Sequence, residues 1–242
     1  MATVEEHYAR HLGPVYAWMV GDIDAALARA DQELDTLALR TAGGTALDLG
    51  AGIGLHAIPL ARRGFTVTAI DSDAALLKEL TLRAGSLPIR TVHADLLDFG
   101  AHAPTPADVI LCMGDTLTHL PTHAGVASLL GRVAATLNRG GTFAATFRDY
   151  TGAPLQGDAR FIPVRSDAER MLTCFLEYAD TTVTVHDLLH QREESSWRLR
   201  ISSYPKLRLS PQWVADHLSS LGLSVRRDMA PGGMIRLRAA AA

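Results

Sequence analysis

The sequence predicts an α/β fold, a doubly wound parallel sheet covered by helices on both faces. Three observations predict it. Between residues 45 and 149 short β-rich runs alternate with helical runs, which is the pattern of successive βαβ units. A glycine-rich turn, "LGAGIG", stands where the first of those runs passes into a helical one. After Tyr150 the pattern changes to long β-branched and aromatic runs with polar breaks, the mark of antiparallel hairpins.

Residues 4–39 read as helix, with Leu27, Leu34 and Leu37 at helical spacing, a break at Gly13-Pro14 and a fresh start at Gly21-Asp22. "TAGGT" then punctuates the chain. "TALDLG", "FTVTAID", "LPIRTVHADL", "ADVILCMGD" and "TFAATFRD" are the strands of the alternating half, and "NRGG" is a glycine stop to the helix before the last of them. In the second half two or three antiparallel strands are expected, with turns at Ala179-Asp180 and Glu193-Glu194. Ser210-Pro211 has the form of a helix start, a serine cap followed by proline in the first turn. "LSVRRD" and "MIRLRAA" are two closing strands around Pro231-Gly232-Gly233, and the terminal alanines are expected to fray. The implied divisions are 1–41, 42–150, 151–209 and 210–242.

With 242 residues, 48% hydrophobic and 20% charged, the chain is long enough for one sizeable domain with a small subdomain. The formal net charge of -3 gives no basic surface, so nucleic acid is a poor partner. No apolar run approaches ~18 residues and the first residues lack a signal core, so neither a membrane partner nor export is expected. Cys112 and Cys174 form no CxxC pair and read as reduced thiols of a cytoplasmic protein. His7 with His11, and His119 with His123, have helix-face spacing but lack a third ligand at metal spacing, so no metal is expected.

The run "ALDLGAGIGLHAIPLARRG" (46–64) places Gly50, Gly52 and Gly54 together. A plain βα turn is one reading. Dinucleotide binding needs G-x-G-x-x-G, and the third glycine position is Leu55 here. Asp48, two residues ahead of the loop, would repel a pyrophosphate and suits a cation. S-adenosylmethionine, with an ammonium and a sulfonium and no pyrophosphate, fits that chemistry better.

"ALDLGAGIG" resembles the first motif of class I S-adenosylmethionine-dependent methyltransferases, and three further motifs follow in that family's order. They are "VTAIDSD", "HADLLDF" and "CMGDTLTHL", with "LNRGGTF" leading into the fifth strand. The resemblance implies a seven-stranded, mostly parallel sheet whose last strand is reversed. It also implies an N-terminal helical lid and a small antiparallel β insertion between the fifth strand and the last helix. Cofactor contacts are implied at Asp48, Gly50, Ala51 and Gly52 of the first motif, at Asp71 and Ser72 of the second, at Asp95 and Leu96 of the third, and at Met113. Asp71 would accept from the ribose hydroxyls, and Asp95 and Leu96 would meet the adenine edge.

"GDTLTHL" and "TFRDY" resemble, more narrowly, segments of glycine and sarcosine N-methyltransferases, close to G-N-S-x-x-H-L and D-H-R-N-Y. By that match Arg148 holds a substrate carboxylate, a task suited to the guanidinium fork, with Tyr150 beside it. Asp115 replaces asparagine and Thr146-Phe147 replace aspartate-histidine. An acid near an anion site disfavours glycine itself, so a larger amine, an amino acid or a natural-product phenol stays open. Tyr8, Tyr16 and Trp18 are the aromatic residues the lid would bring to the substrate, and His186 and Tyr204 are further cleft candidates. His119 is the first candidate for a catalytic base, because an unperturbed imidazole titrates near neutrality. Asp115 is the second.

The expected activity is methyl transfer from S-adenosylmethionine to a small-molecule acceptor, first an amine or amino-acid-like one, with a hydroxyl as alternative, by a monomer or homodimer. A nicotinamide oxidoreductase and a non-catalytic cofactor-binding module are the competing classes. The segment "GDTL" lacks the Asp/Asn-Pro-Pro-aromatic signature of enzymes that methylate base amines.

Overall fold

The computed structural model describes residues 2–39, 43–103 and 106–241. The expected punctuation at 41 and 42 lies outside them, as does Ala242. The alternating half forms β1 (Gly44–Leu49), α4 (Ala57–Arg62), β2 (Phe65–Asp71), α5 (Ala74–Ala84), β3 (Ile89–His93), β4 (Ala107–Cys112), α6 (His123–Thr136) and β5 (Leu137–Phe147). The chain closes with α7 (Pro211–Ser220), β10 (Ser224–Ala230) and β11 (Met234–Ala240). These strands make one seven-stranded sheet in the order β10-β11-β5-β4-β1-β2-β3. β1 pairs parallel with β2 and β4, and β11 pairs antiparallel with both neighbours. The reversed last strand is the one the resemblance implies.

The sheet is covered on both faces. α3 (Ile23–Thr36), α4 and α5 pack Leu34, Leu60, Leu77 and Leu80 into one core. α6 and α7 pack Val126, Leu130, Val133, Val214 and Leu218 into the other. The N-terminal segment breaks where glycine and proline predict. α1 (Val4–His7) widens into a π turn and then tightens into a 3-10 turn around Pro14 before α2 (Tyr16–Val20). Gly21 at φ 88° ends that piece, and the Asp22 carboxylate caps α3 by accepting from the Ala25 N–H at 3.0 Å.

The insertion is a separate four-stranded antiparallel sheet of β6 (Phe161–Ser166), β7 (Arg170–Tyr178), β8 (Thr182–Glu193) and β9 (Ser196–Leu207). Two or three strands were expected. The additional one, β6, carries Pro163, and proline inside a run argues against a strand except at an edge or bulge. β6 is an edge strand, with its register shift between Pro163 and Arg165. Two further expectations are corrected. α6 stops at Thr136, ahead of "NRGG", because Leu137 already turns extended. The late alanines do not fray at 239 and 240, which pair with Phe143 and Thr142 of β5, because backbone pairing needs no large side chain.

Candidate active site

The glycine loop leaves β1 and is tied to β2. Gly50 and Ala51 donate their N–H groups to the Ile70 carbonyl at 2.8 and 3.0 Å. The Gly52 N–H donates to Asp71 Oδ2 at 2.7 Å, and the Asp73 N–H donates to Asp71 Oδ1 at 2.8 Å. Each carboxylate oxygen keeps a second lone pair for a ligand hydroxyl. Gly52, at φ 51°, opens toward Tyr16, the nearest atoms a Cβ would meet lying 3.9 Å away. Gly54 serves packing: a Cβ there would sit 2.7 Å from Leu80 of α5.

Above the loop lies a cavity of about 650 Å³. Its lining includes Gly50, Ala51, Gly52, Asp71, Ser72, Asp95, Leu96 and Met113. Those are all the cofactor residues implied by the motifs except Asp48. Strand ends and the turns after them bring these residues together, as expected at the carboxyl edge of an open α/β sheet. Asp95 caps the following 3-10 turn by accepting from the Leu97 N–H at 2.8 Å.

Asp48 sits beneath the loop, only 2% exposed, and its Oδ2 has no hydrogen-bond partner. Burial raises its carboxyl to about 6, with His56 pulling the other way. A buried acceptor without a donor is costly, and an ammonium above it would satisfy it. The acidic floor, the glycine opening and the free lone pairs of Asp71 therefore fit S-adenosylmethionine. Replacing Asp71 with alanine is expected to weaken S-adenosylhomocysteine binding by more than about tenfold, the worth of one charge-assisted hydrogen bond. Calorimetric titration of both proteins checks it.

A further wall of the same cavity is formed by Tyr8, His119, Leu120, Pro121, Pro205, Lys206 and Leu207. Tyr8 and Tyr16 reach it from the N-terminal segment, as a lid would. Trp18 does not: its indole N–H donates to Asp167 of the insertion, and Arg165 and Arg170 lie 5.8 and 5.7 Å from its ring centroid. Arg148 is exposed, outside the lining, and donates to the Gly232 carbonyl at 2.9 Å. Tyr150 is buried behind the wall with its hydroxyl 3.5 Å from Asp115. Tyr204 backs His119 edge-on at 5.7 Å. His186 lies on the opposite face of β8, bonded to Glu177 and Ser203.

Lys206, which sequence reasoning missed, is the cation of this wall. Its Nζ pairs with Asp115 Oδ2 at 2.5 Å, both side chains being buried. Asp115 stands behind the lining in left-handed backbone at φ 75°. It also accepts from the Arg148 N–H and the Thr118 hydroxyl. Burial alone would raise its carboxyl, but Lys206 and the Arg148 N–H hold it below the usual range. The premise that His119 titrates near neutrality is corrected. Burial first, then Lys206, lowers its imidazole to about 3, and its Nε2 is buried without a partner. The sole sequence signal for Lys206 was a lysine between Pro205 and Leu207 at a strand end, "YPKL". Among the described residues no group of three or more His, Cys, Asp or Glu is placed to hold a metal ion, and no helix is long and apolar enough to cross a membrane.

Residues 46–141 match the family model described as "Methyltransferase domain". Glycine/sarcosine N-methyltransferase of Aphanothece halophytica is 29% identical over 107 residues, 43% of this chain and 40% of that protein. Ubiquinone biosynthesis O-methyltransferase of Xylella fastidiosa is 37% identical over 121 residues, 46% of this chain and 48% of that protein. The chain thus spans less than half the length of these two curated relatives. Over nearly its whole length it shares its fold with an amino pentose methyltransferase of Micromonospora echinaspora. That match has a TM-score of 0.77 at 14% identity and covers 96% of this chain and 97% of the other. Over residues 46–141, then, the chain matches a methyltransferase domain, and its overall fold is one that methyltransferases of known structure share.

Proposed function

We propose that this protein transfers a methyl group from S-adenosylmethionine to the nitrogen of a small amine, free or within an amino acid or amino sugar. The carrying observation is that, among the described residues, the buried titratable groups at and behind the cavity wall formed by Tyr8, His119 and Lys206 offer no free base. His119 is held neutral with its imidazole near 3, burial drives the Tyr8 hydroxyl well above its ordinary range, and Asp115 is committed to Lys206. A hydroxyl acceptor needs a base to take its proton. An unprotonated amine already presents its lone pair, and the Lys206 cation disfavours the protonated form beside it.

When bound, S-adenosylmethionine supplies an electrophilic methyl on a sulfonium. The rest of the work falls to alignment and exclusion of water. Asp71 would hold the ribose hydroxyls, Asp95 and the Leu96 N–H the adenine edge, and Asp48 the ammonium. His119 would accept a hydrogen bond from the acceptor N–H at Nε2 and aim its lone pair. Arg148 lies outside the lining, so a substrate carboxylate there has no support from the cavity. The names of two similar proteins, a glycine/sarcosine N-methyltransferase and an amino pentose methyltransferase, support an amine. The O-methyltransferase relative names the alternative.

The test is label transfer from methyl-labelled S-adenosylmethionine to matched panels of amines, amino sugars and phenols. Label in amines is expected; label in phenols alone would retire the nitrogen assignment. With an amine acceptor, His119→Ala is expected to raise KM more than it lowers kcat. The kcat profile of the native enzyme should show no inflection from this imidazole between pH 5 and 9, since it stays neutral there. A kcat loss of about 10² or more with an inflection near neutrality would restore His119 as the base.

A further inference from the structure

The N-terminal segment is seated on the insertion at one buried polar cluster. His7 is fully buried, and both ring nitrogens are engaged. Its Nδ1 lies 2.8 Å from the Ser202 hydroxyl and its Nε2 2.9 Å from Asp187 Oδ2. Asp187, itself 2% exposed, takes the Cys174 thiol on its other oxygen at 2.8 Å, and its carbonyl meets His11 at 3.1 Å. Burial opposes the charge of Asp187, but His7 and the Cys174 thiol hold its carboxyl below the usual range.

This cluster borders the acceptor wall. The His7 ring lies 4.1 Å from the Tyr204 ring, tilted by 31°. Tyr204 meets His119 edge-on, and Tyr8, the next residue after His7, lies 5.6 Å from His119 on another side. His119 is thus held between a tyrosine of the insertion and a tyrosine of the N-terminal segment, and His7 touches both. Further along the same segment Tyr16 stands over Gly52. The seat that completes the acceptor wall therefore also closes over the glycine loop.

We infer that Asp187 is a positioning residue: through His7 it seats residues 2–20 on the insertion, setting Tyr8 and Tyr204 about His119 and retaining the bound adenosyl ligand. This rests on the cofactor reading, with S-adenosylhomocysteine as the probe. A buried hydrogen-bonded pair fails when either partner is removed, and the two losses do not add. His7→Ala and Asp187→Ala should each release S-adenosylhomocysteine about tenfold faster or more, and the double variant no faster than either. His7→Gln, which can keep a donor toward Asp187, should recover part of the slow release.

Trp18, on the same segment, gives the fluorescence signal for stopped-flow measurement. Release within about twofold of wild type in folded variants, or additive effects of the two changes, would overturn the inference. If either alanine variant does not fold, Ser202→Ala removes the Nδ1 partner alone and should still speed release; unchanged release would count against the seat. A ligand-free arm separates the two readings. Trypsin should cut after Arg10 faster in the variants than in wild type, and equal cutting overturns the seat. Wild type that resists trypsin yet binds no S-adenosylhomocysteine would sink the cofactor reading, and the ligand-retention part of the inference with it.

Discussion

Lys206→Met is expected to lower the unfolding free energy by about 3–5 kcal/mol, the cost of leaving a buried carboxylate without its counterion. Both partners are more than nine-tenths buried, so water does little to screen the loss. The N–H of Arg148 and the hydroxyl of Thr118 still reach Asp115, which places the effect toward the lower end. Adding Asp115→Asn to Lys206→Met removes the orphaned charge and should recover much of the stability, a coupling that urea denaturation of the four proteins reads directly. The sign with pH follows from Asp115. Its folded carboxyl lies below its unfolded value, so its stabilisation is present above the unfolded value and is lost as pH falls through the folded one. Wild type should therefore lose stability in acid more steeply than the double variant. In Lys206→Met the His119 imidazole should also titrate higher, because Lys206 is, after burial, the largest influence lowering it.

Asp48→Asn should act in the opposite direction, making the ligand-free protein more stable and the cofactor site worse. The carboxyl rises from 3.8 to about 6 on burial, which corresponds to about 3 kcal/mol as a ceiling. An amide N–H at the orphaned Oδ2 position gives part of that back, so a gain of about 1–2 kcal/mol is expected. For a carboxyl raised in the folded state, stability falls as pH climbs from the unfolded value to the folded one and stays lower above it. The advantage of the variant should thus appear between about pH 4 and 6 and persist at neutrality. S-adenosylhomocysteine binding by the variant should fall by about tenfold or more, and binding by wild type should weaken below about pH 6 as Asp48 takes up its proton. Thermal unfolding and calorimetry across that range test both halves. A variant no more stable than wild type would mean that Asp48 is not strained by its burial.

The cofactor half of this protein was legible because its signals are local. Strand runs, the glycine loop and the acids at strand ends recur within short stretches, and the chain rules of parallel sheets then place those strand ends side by side. That is why Asp71, Asp95, Leu96 and Met113 come to line one cavity. A strand such as β6 was illegible for a local reason too, since its proline spoils the pattern that would have revealed it.

The acceptor half depends on pairs far apart in the chain. Lys206 meets Asp115 across 91 positions and His7 meets Asp187 across 180. No periodicity or motif encodes such meetings. They follow from how the insertion and the N-terminal segment fold back over the sheet. Arg148 and Trp18 have suitable chemistry and lie in suitable stretches, yet their side chains are spent on Gly232 and Asp167. His119 sits where the motif puts it, but its protonation depends on burial and on a distant lysine. By itself, then, the sequence determined the sheet, the loop and the acids at the strand ends, because covalent neighbours and repeat spacing suffice for them. Only the tertiary structure decided which groups face the acceptor and in what charge state, because solvent exclusion and charge pairing act through space and not along the chain.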